Sequence, residues 1–360
     1  MRVLFAFAGG NGHLQPLLPL ADAAAARGHT VAFTGRPALL PKPFEGFPGG
    51  DEPDGERRPL LRVDRDREER EFRDGFGGWI ARERAAATRE VAQRWRPDVI
   101  VCDETDFGSM IAAEALGIPH ASVVVLAAGT FGRPDGLAEL LDKTRAAHGL
   151  PADPSLAMLD RHLVISPVPA SFRASPGAKP MRPMPLVPPA PTTPPTVYFT
   201  LGTIFNTESG DLFARFLGGL RDLPISLVVT VGGGIAPAEL GPQPPNVRVE
   251  RYIPQADLLP RCSAVVSHAG SGTVVGALAH GLPMVLVPMG ADQPANADRC
   301  EALGIGVALD AVDSTPTEAA EALRAVLWQP SYREAAQALR AEVAAMPAPA
   351  EVLPLLEALR

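Results

Sequence analysis

Short apolar runs alternate with helical patterns along almost the whole chain, and this alternation constrains the fold more than any single motif. In the first half, strands are expected at Val3–Ala8, Thr30–Thr34, Asp98–Cys102, Ala121–Leu126 and Leu163–Ile165, with helices at Leu14–Arg27, Trp79–Arg94, Phe107–Leu116 and Gly136–Ala147. In the second half, strands are expected at Thr196–Leu201, Ser226–Val231, Val247–Arg251, Ala264–Ser267, Met284–Val287 and Gly306–Leu309. Helices there fall at Asp211–Asp222, Gly272–His280, Asn296–Leu303, Thr317–Leu327 and Tyr332–Ala344. Strands that are apolar throughout are buried on both faces, which implies parallel sheets covered by helices. The expected fold is α/β, with two Rossmann-like doubly wound domains facing across a cleft where open sheets of this kind bind ligands. Ser175–Pro195 is too rich in proline for a regular helix and suits a stiff connector. The division expected is 1–188, 189–345, and a terminal helix within 346–360 that packs back on the first domain. Pro37–Arg73 shows no clear period and reads either as an irregular, cleft-side segment, with Phe76 and Trp79 just beyond it facing a ligand, or as a disordered or solvated excursion.

A length of 360 residues suits two domains. The net charge of -8 argues against a nucleic-acid partner. Cys102, Cys262 and Cys300 are odd in number and scattered, so no disulfide framework is expected and a reducing, cytoplasmic setting fits. No apolar run is long enough to span a bilayer, and Met1–Ala8 reads as a first strand rather than a signal peptide. Nothing has metal-ligand spacing, and Asp103-Glu-Thr-Asp106 is not an Asp-x-Asp pair. Lysine is confined to Lys42, Lys143 and Lys179 while Ala, Arg and Pro abound, which points to a GC-rich bacterial genome.

The chemistry concentrates in two glycine turns. Val266-Ser-His-Ala-Gly-Ser-Gly-Thr273 reads as strand, turn and helix start, and the free N–H groups beside His268 suit a diphosphate. Ser271 and Thr273 add hydroxyls, and Gly202-Thr203 is a second phosphate contact. Asp292 and Gln293 follow the next strand and suit sugar hydroxyls, so the two ends together suggest a nucleotide sugar. Tyr252-Ile253-Pro254-Gln255 could hold a base or simply pack, and Gly232–Gly234 could admit a ligand or simply turn the chain. In the first half, Gly9-Gly-Asn-Gly-His13 places a histidine at a helix start, where the positive helix end is expected to lower its basicity and leave it able to take a proton. Asp103 ends another strand of that sheet and could fix the imidazole tautomer, with Glu104 and Asp106 as competitors and helix capping as the alternative role.

These residues carry a family resemblance. Gly12-His13-Leu-Gln-Pro-Leu-Leu-Pro-Leu-Ala21 and Ser267–Asn296, with Phe199–Thr203 and Tyr252–Gln255, resemble the two-domain (GT-B fold) nucleotide-sugar glycosyltransferases that decorate natural products. The resemblance implies an inverting, metal-independent transfer with His13 as base and Asp103 as its partner. His268, Gly270, Ser271, Gly272 and Thr273 would hold the diphosphate, Asp292 and Gln293 the sugar, and Tyr252 and Gln255 the base, with Asn296 a donor-side polar residue. Thr203, Gly232 and Ile253 join the donor side, and Gly12, Phe76, Trp79 and Phe107 the acceptor side. The acceptor expected is a small natural product such as a polyketide or an aromatic compound, and the protein a monomer or homodimer. One departure matters. Many members carry a glutamate for ribose hydroxyls eight residues after the diphosphate histidine, and here that position is Gly276, which favours a dTDP-sugar over a UDP-sugar. The chain is also short for the family, mainly in the acceptor half.

Two rival readings exist. Gly270-x-Gly272 followed by Asp292 imitates a dinucleotide fingerprint of an NAD(P) oxidoreductase, but the third glycine is displaced to Gly276 and Arg36 stands where an acid belongs after the second strand. A catalytically silent homologue serving as a binding partner would not need both His13 and Asp103.

Overall fold

A computed structural model describes residues 1–50, 56–129, 132 and 134–360. Two parallel sheets organise the chain. The first contains β1 (Arg2–Ala6), β2 (Thr30–Gly35), β3 (Glu45–Pro48), β4 (Val99–Asp103), β5 (His120–Val123), β6 (Leu163–Ser166) and β7 (Lys179–Pro180) in the order β3-β2-β1-β4-β5-β6-β7. The second contains β8 (Thr196–Thr200), β9 (Ser226–Thr230), β10 (Val247–Glu250), β11 (Cys262–Ser267), β12 (Met284–Leu286) and β13 (Gly306–Ala308) in the order β10-β9-β8-β11-β12-β13.

Burial on both faces explains the apolar strands. Val3 and Phe5 point to the side of Leu17 and Leu20, while Leu4 and Ala6 point to the side of Val91 and Trp95. In the second sheet Val197 and Phe199 meet Phe216 and Leu323, and Tyr198 faces Leu278 and Leu282. Each sheet reverses its winding at one place, between β1 and β4 and between β8 and β11. The loops leaving those four strands carry His13, Asp103, Gly202 and His268, so each sheet offers its crevice through a histidine.

The segment 37–73 is more regular than its sequence suggests. It contains a short helical turn at Pro37–Leu39, the edge strand β3 and the helix Arg65–Asp74, while residues 51–55 lie outside the described residues. That helix is almost uniformly charged, so it shows no apolar stripe; Asp64 starts it by accepting the N–H groups of Asp66 and Arg67 at 3.1 Å. The helix expected from Trp79 begins at Ala81, after a π-helical turn at Gly75–Ile80. The proline-rich stretch contributes β7, a seventh strand in a sheet where five were expected.

The two halves touch along both sides of the cleft. On one side Val124, Ala127, Val168 and Phe172 share a core with Leu258, Leu278 and Leu282, and Arg299 Nε donates to the Phe172 carbonyl at 2.7 Å. On the other, residues 56–68 lie along the second sheet's loops through Arg57–Glu239 (2.8 Å), Arg62–Asp313 (2.6 Å) and Arg65–Asp298 (2.7 Å). The last helix, Pro349–Glu357, returns to the first sheet and buries Val352, Leu353 and Leu356 beside Leu17 and Leu20. No helix among the described residues is long and apolar enough to cross a membrane.

Candidate active site

The β1 turn delivers His13 to the cleft on a helix of only four residues, Asn11–Leu14. Its ring lies directly over Gly9, where a Cβ would collide with Cδ2 and Nε2. His13 Nδ1 is 3.4 Å from Asp103 Oδ1, and Thr105 Oγ1 stands between them, 3.1 Å from Nδ1 and 2.6 Å from Asp103. Thr105 gives its one proton to the carboxylate, so its oxygen accepts from Nδ1–H. The lone pair is therefore left on Nε2.

Asp103 is fully buried and accepts further from the N–H groups of Ala8 and Thr105, both at 2.7 Å. Burial alone would raise its pKa, but the charge and hydrogen bond of His13, with the Thr105 and Ala8 bonds, bring it below the ordinary value. Burial alone would lower the His13 pKa. The charge and hydrogen bond of Asp103, and then the charge of Asp292, reverse this and raise it. The sequence expectation of a lowered basicity is thus corrected. The helix is too short for its dipole to rival an adjacent carboxylate. The competitors for Asp103 are committed elsewhere: Asp106 caps the helix Phe107–Ala115 and pairs with buried Arg84 at 2.8 Å, and Glu104 pairs with Arg173 at 2.9 Å.

Among the acceptor-side residues, Phe76 stacks on His13 with ring centroids 5.4 Å apart and planes 15° from parallel. Phe72 backs it at 5.3 Å, and Phe107 lies buried behind Phe72, edge-on at 6.3 Å. Trp79, on the same turn as Phe76, is 47% exposed. A Cβ at Gly12 would meet no atom within 4 Å, so that edge is open.

Across the cleft, β11 delivers His268 into a slot between Gly202 and Gly270, each of which would strike its ring if it carried a Cβ. Burial pushes the His268 pKa down to about 4, against a smaller upward pull from its hydrogen bond to the Thr200 backbone. It is neutral at pH 7, and its Nδ1 is buried with no partner. The helix Ser271–His280 begins beside it, with Gly270 as a cap that has no side-chain bond to offer. Of its first-turn N–H groups, that of Thr273 donates to the Gly270 carbonyl at 3.0 Å, while the helix offers no acceptor to those of Ser271 and Gly272.

The hydroxyls of this turn are already engaged. Ser271 Oγ donates to Asp292 and accepts from the Ala127 N–H at 2.6 Å, and Thr273 Oγ1 accepts from Gln255 Nε2 at 3.0 Å. Asn296 completes the network: its Nδ2 reaches Asp292 at 2.8 Å, and its Oδ1 accepts from the Ala128 N–H at 2.9 Å. Asp292 is half-buried, and the loss of solvent around it raises its pKa against the pull of Ser271, Asn296 and His13. Gln293 is 1% exposed, and its Oε1 accepts from the Met289 and Gly290 N–H groups at 2.8 and 3.3 Å, so it shapes the turn that presents Asp292. Tyr252 is exposed and Ile253 half-buried at the end of β10, while Thr203 is exposed after β8. Gly232 has φ 75° and lies against Asn206.

His13 and Asp292, from opposite halves of the chain, are near enough for the charge of each to shift the other's pKa. Sequence reasoning did not single out Thr105, although it lies within the Asp103–Asp106 stretch. Nor did it find the Ala127 and Ala128 amides or Glu68, whose link to Ala291 is visible only once the sheets meet.

Residues 214–359 match the family described as erythromycin biosynthesis protein CIII-like, C-terminal domain. The 3-alpha-mycarosylerythronolide B desosaminyl transferase of Saccharopolyspora erythraea is 30% identical over 299 residues, covering 74% of this chain and 70% of that protein. The 4'-demethylrebeccamycin synthase of Lentzea aerocolonigenes is 31% identical over 431 residues, covering 99% of each. The solved structure of the glycosyltransferase VinC in complex with dTDP superposes with a TM-score of 0.77 at 26% identity, covering 100% of this chain and 99% of that one. With two parallel-sheet domains and a histidine on the switch-point turn of each, the chain belongs to the GT-B glycosyltransferases of antibiotic and natural-product biosynthesis, enzymes that move a sugar from a nucleotide to a natural-product acceptor.

Proposed function

We propose that this glycosyltransferase moves its sugar from dTDP by a single inverting displacement without a metal ion. His13 Nε2 takes the proton of the attacking oxygen, and Asp103, through Thr105 and directly, stabilises the imidazolium that forms. The leaving diphosphate moves to the N–H groups at the start of Ser271–His280 beside neutral His268, where developing negative charge finds fixed donors. Asp292 holds sugar hydroxyls. It is hydrogen-bonded by Ser271 and Asn296 rather than free as a nucleophile, which favours direct attack by the acceptor. In this reading the charge of the leaving group is met by the protein's own donors.

Residues 1–188 would take the acceptor between Gly12, Phe76 and Trp79, an aromatic wall that suits a flat or apolar natural product, while Phe107, buried behind Phe72, backs that wall rather than lining it. Residues 189–345 would take the nucleotide through Thr203, Gly232, Tyr252, Ile253 and Gln255, and 346–360 would close the first domain. A Cβ at Gly276 would lie 2.9 Å from Leu259 Cδ1 and 3.2 Å from Gln255 Oε1, so the position offers no ribose partner and supports dTDP over UDP. The protein would work in the cytoplasm.

The observation that carries this reading is the His13–Thr105–Asp103 relay facing Asp292. Its test is a thermal-shift comparison of dTDP, UDP and GDP followed by turnover of His13→Ala. Saturating dTDP at ~100 Kd should add ~2.7 kcal/mol of stability. A response to UDP but not dTDP would refute the donor, and near-normal turnover of His13→Ala would refute the base.

A further inference from the structure

The turn that presents Asp292 is not held by its own domain alone. Ala291, the residue before Asp292, has φ 51°, a left-handed conformation that a residue with a Cβ adopts at a cost. Its N–H donates at 2.7 Å to Oε2 of Glu68, which comes from the helix Arg65–Asp74 of the other half of the molecule. Glu68 is only 8% exposed, and its second oxygen accepts from Arg67 at 2.7 Å. It approaches so closely that a Cβ on Gly290 would lie 2.9 Å from Oε2. Farther along the same helix is Phe72, which backs the Phe76 ring stacked on His13. One charged helix thus touches the acceptor-side wall and the donor-side turn together.

We infer that Glu68 is a positioning residue for the donor sugar: it holds the left-handed Ala291 and so aims Asp292, and this hold exists only while the two halves are closed on each other. The inference rests on the reading of Asp292 as the sugar-binding carboxylate. It assigns no contact between Glu68 and the substrate. Its effect is confined to the sugar end of the donor, because the nucleotide end is built from loops that Glu68 does not touch.

The test is calorimetric titration of the full chain with dTDP and, separately, with dTDP-glucose, the ratio of the two affinities being the contribution of the sugar. Glu68→Ala should reduce that ratio about tenfold, the scale of one charged hydrogen bond, and leave dTDP affinity unchanged. Glu68→Gln keeps an acceptor oxygen and should retain most of the ratio. Adding Ala291→Gly to Glu68→Ala should restore part of it, because glycine adopts the left-handed turn unaided. Glu68→Met keeps the length without the acceptor and replaces Glu68→Ala should that variant not fold. An unchanged ratio in Glu68→Ala overturns the inference, and so does an equal loss of dTDP and dTDP-glucose affinity, which would make Glu68 a mere domain contact. Asp292→Ala separates the two ideas. If it abolishes the ratio while Glu68→Ala does not, only Glu68 is misassigned. If neither matters, or the wild-type protein binds dTDP-glucose no tighter than dTDP, the reading of Asp292 fails and takes the Glu68 inference with it.

Discussion

His13 and His268 occupy matching places in their sheets, each on the glycine turn of a strand at the point where the winding reverses, yet they end with opposite basicity. The difference comes from the neighbouring strand. Beside β1, strand β4 ends in Asp103, whose charge and hydrogen bond, with the charge of Asp292, together outweigh burial and raise the imidazole pKa. Beside β11, strand β8 ends in Thr200, which offers only a backbone bond, and burial wins, bringing His268 to about 4. One topology thus yields a basic imidazole and a neutral one. The decision lies with one side chain on an adjacent strand rather than with the glycine turn.

The comparison can be broken most decisively at His13. In steady-state assays His13→Ala should lose about 10²–10⁴-fold in kcat while calorimetry finds dTDP affinity intact. Removing the charge that separates the two histidines comes next. Asp103→Asn should lower kcat by about 10–10²-fold. It should also move the acid limb of the kcat/KM profile to lower pH, since the base must be unprotonated and its raised pKa falls when the carboxylate goes. An acid limb that stays in place would mean another group titrates there.

His268→Asn should weaken dTDP binding about tenfold. It should also flatten the acid side of the Tm profile. The folded pKa of about 4 lies below the ordinary value of 6.5, so the unfolded chain takes up the proton first. Stability from this group is full above about 6.5 and falls by roughly 3 kcal/mol as the pH drops to about 4. His13 works in the opposite sense, with its stabilisation complete below 6.5 and lost as pH rises through its raised folded value. The smallest expected effect is at Gly276→Glu, where a new ribose acceptor should shift relative affinity from dTDP towards UDP about fivefold, provided Leu259 gives way.

The second sheet was almost fully legible in the sequence, because five of its six strands are short, largely apolar runs bounded by turns and the sixth, β10, alternates apolar and charged residues. The first was less so. β3 has no buried residue, β7 is two residues in a proline-rich stretch, and the helix Arg65–Asp74 hides its two buried residues, Glu68 and Phe72, in a run of charge. At the site, His13 and Asp103 were readable because both end strands of one sheet. The direction of the His13 shift was not, since helix position was weighed and the distance to Asp103 was unknown. Ser271 and Thr273 read as free hydroxyls, but their partners lie in other loops: Ala127, Asp292 and Gln255 are brought in only by tertiary packing.

The final helix has a consequence for how the chain is made. Leu353 and Leu356 are fully buried in the core of the first sheet, beside Leu17 and Leu20. During synthesis at about 5–20 residues per second, the strands of that sheet leave the ribosome on the order of ten seconds before these two leucines do. The first half cannot finish its core until these two leucines are released. It must wait with that seam open while the second half is translated, so a chain stalled or cut before Pro349 should be left with an exposed leucine patch and a tendency to associate.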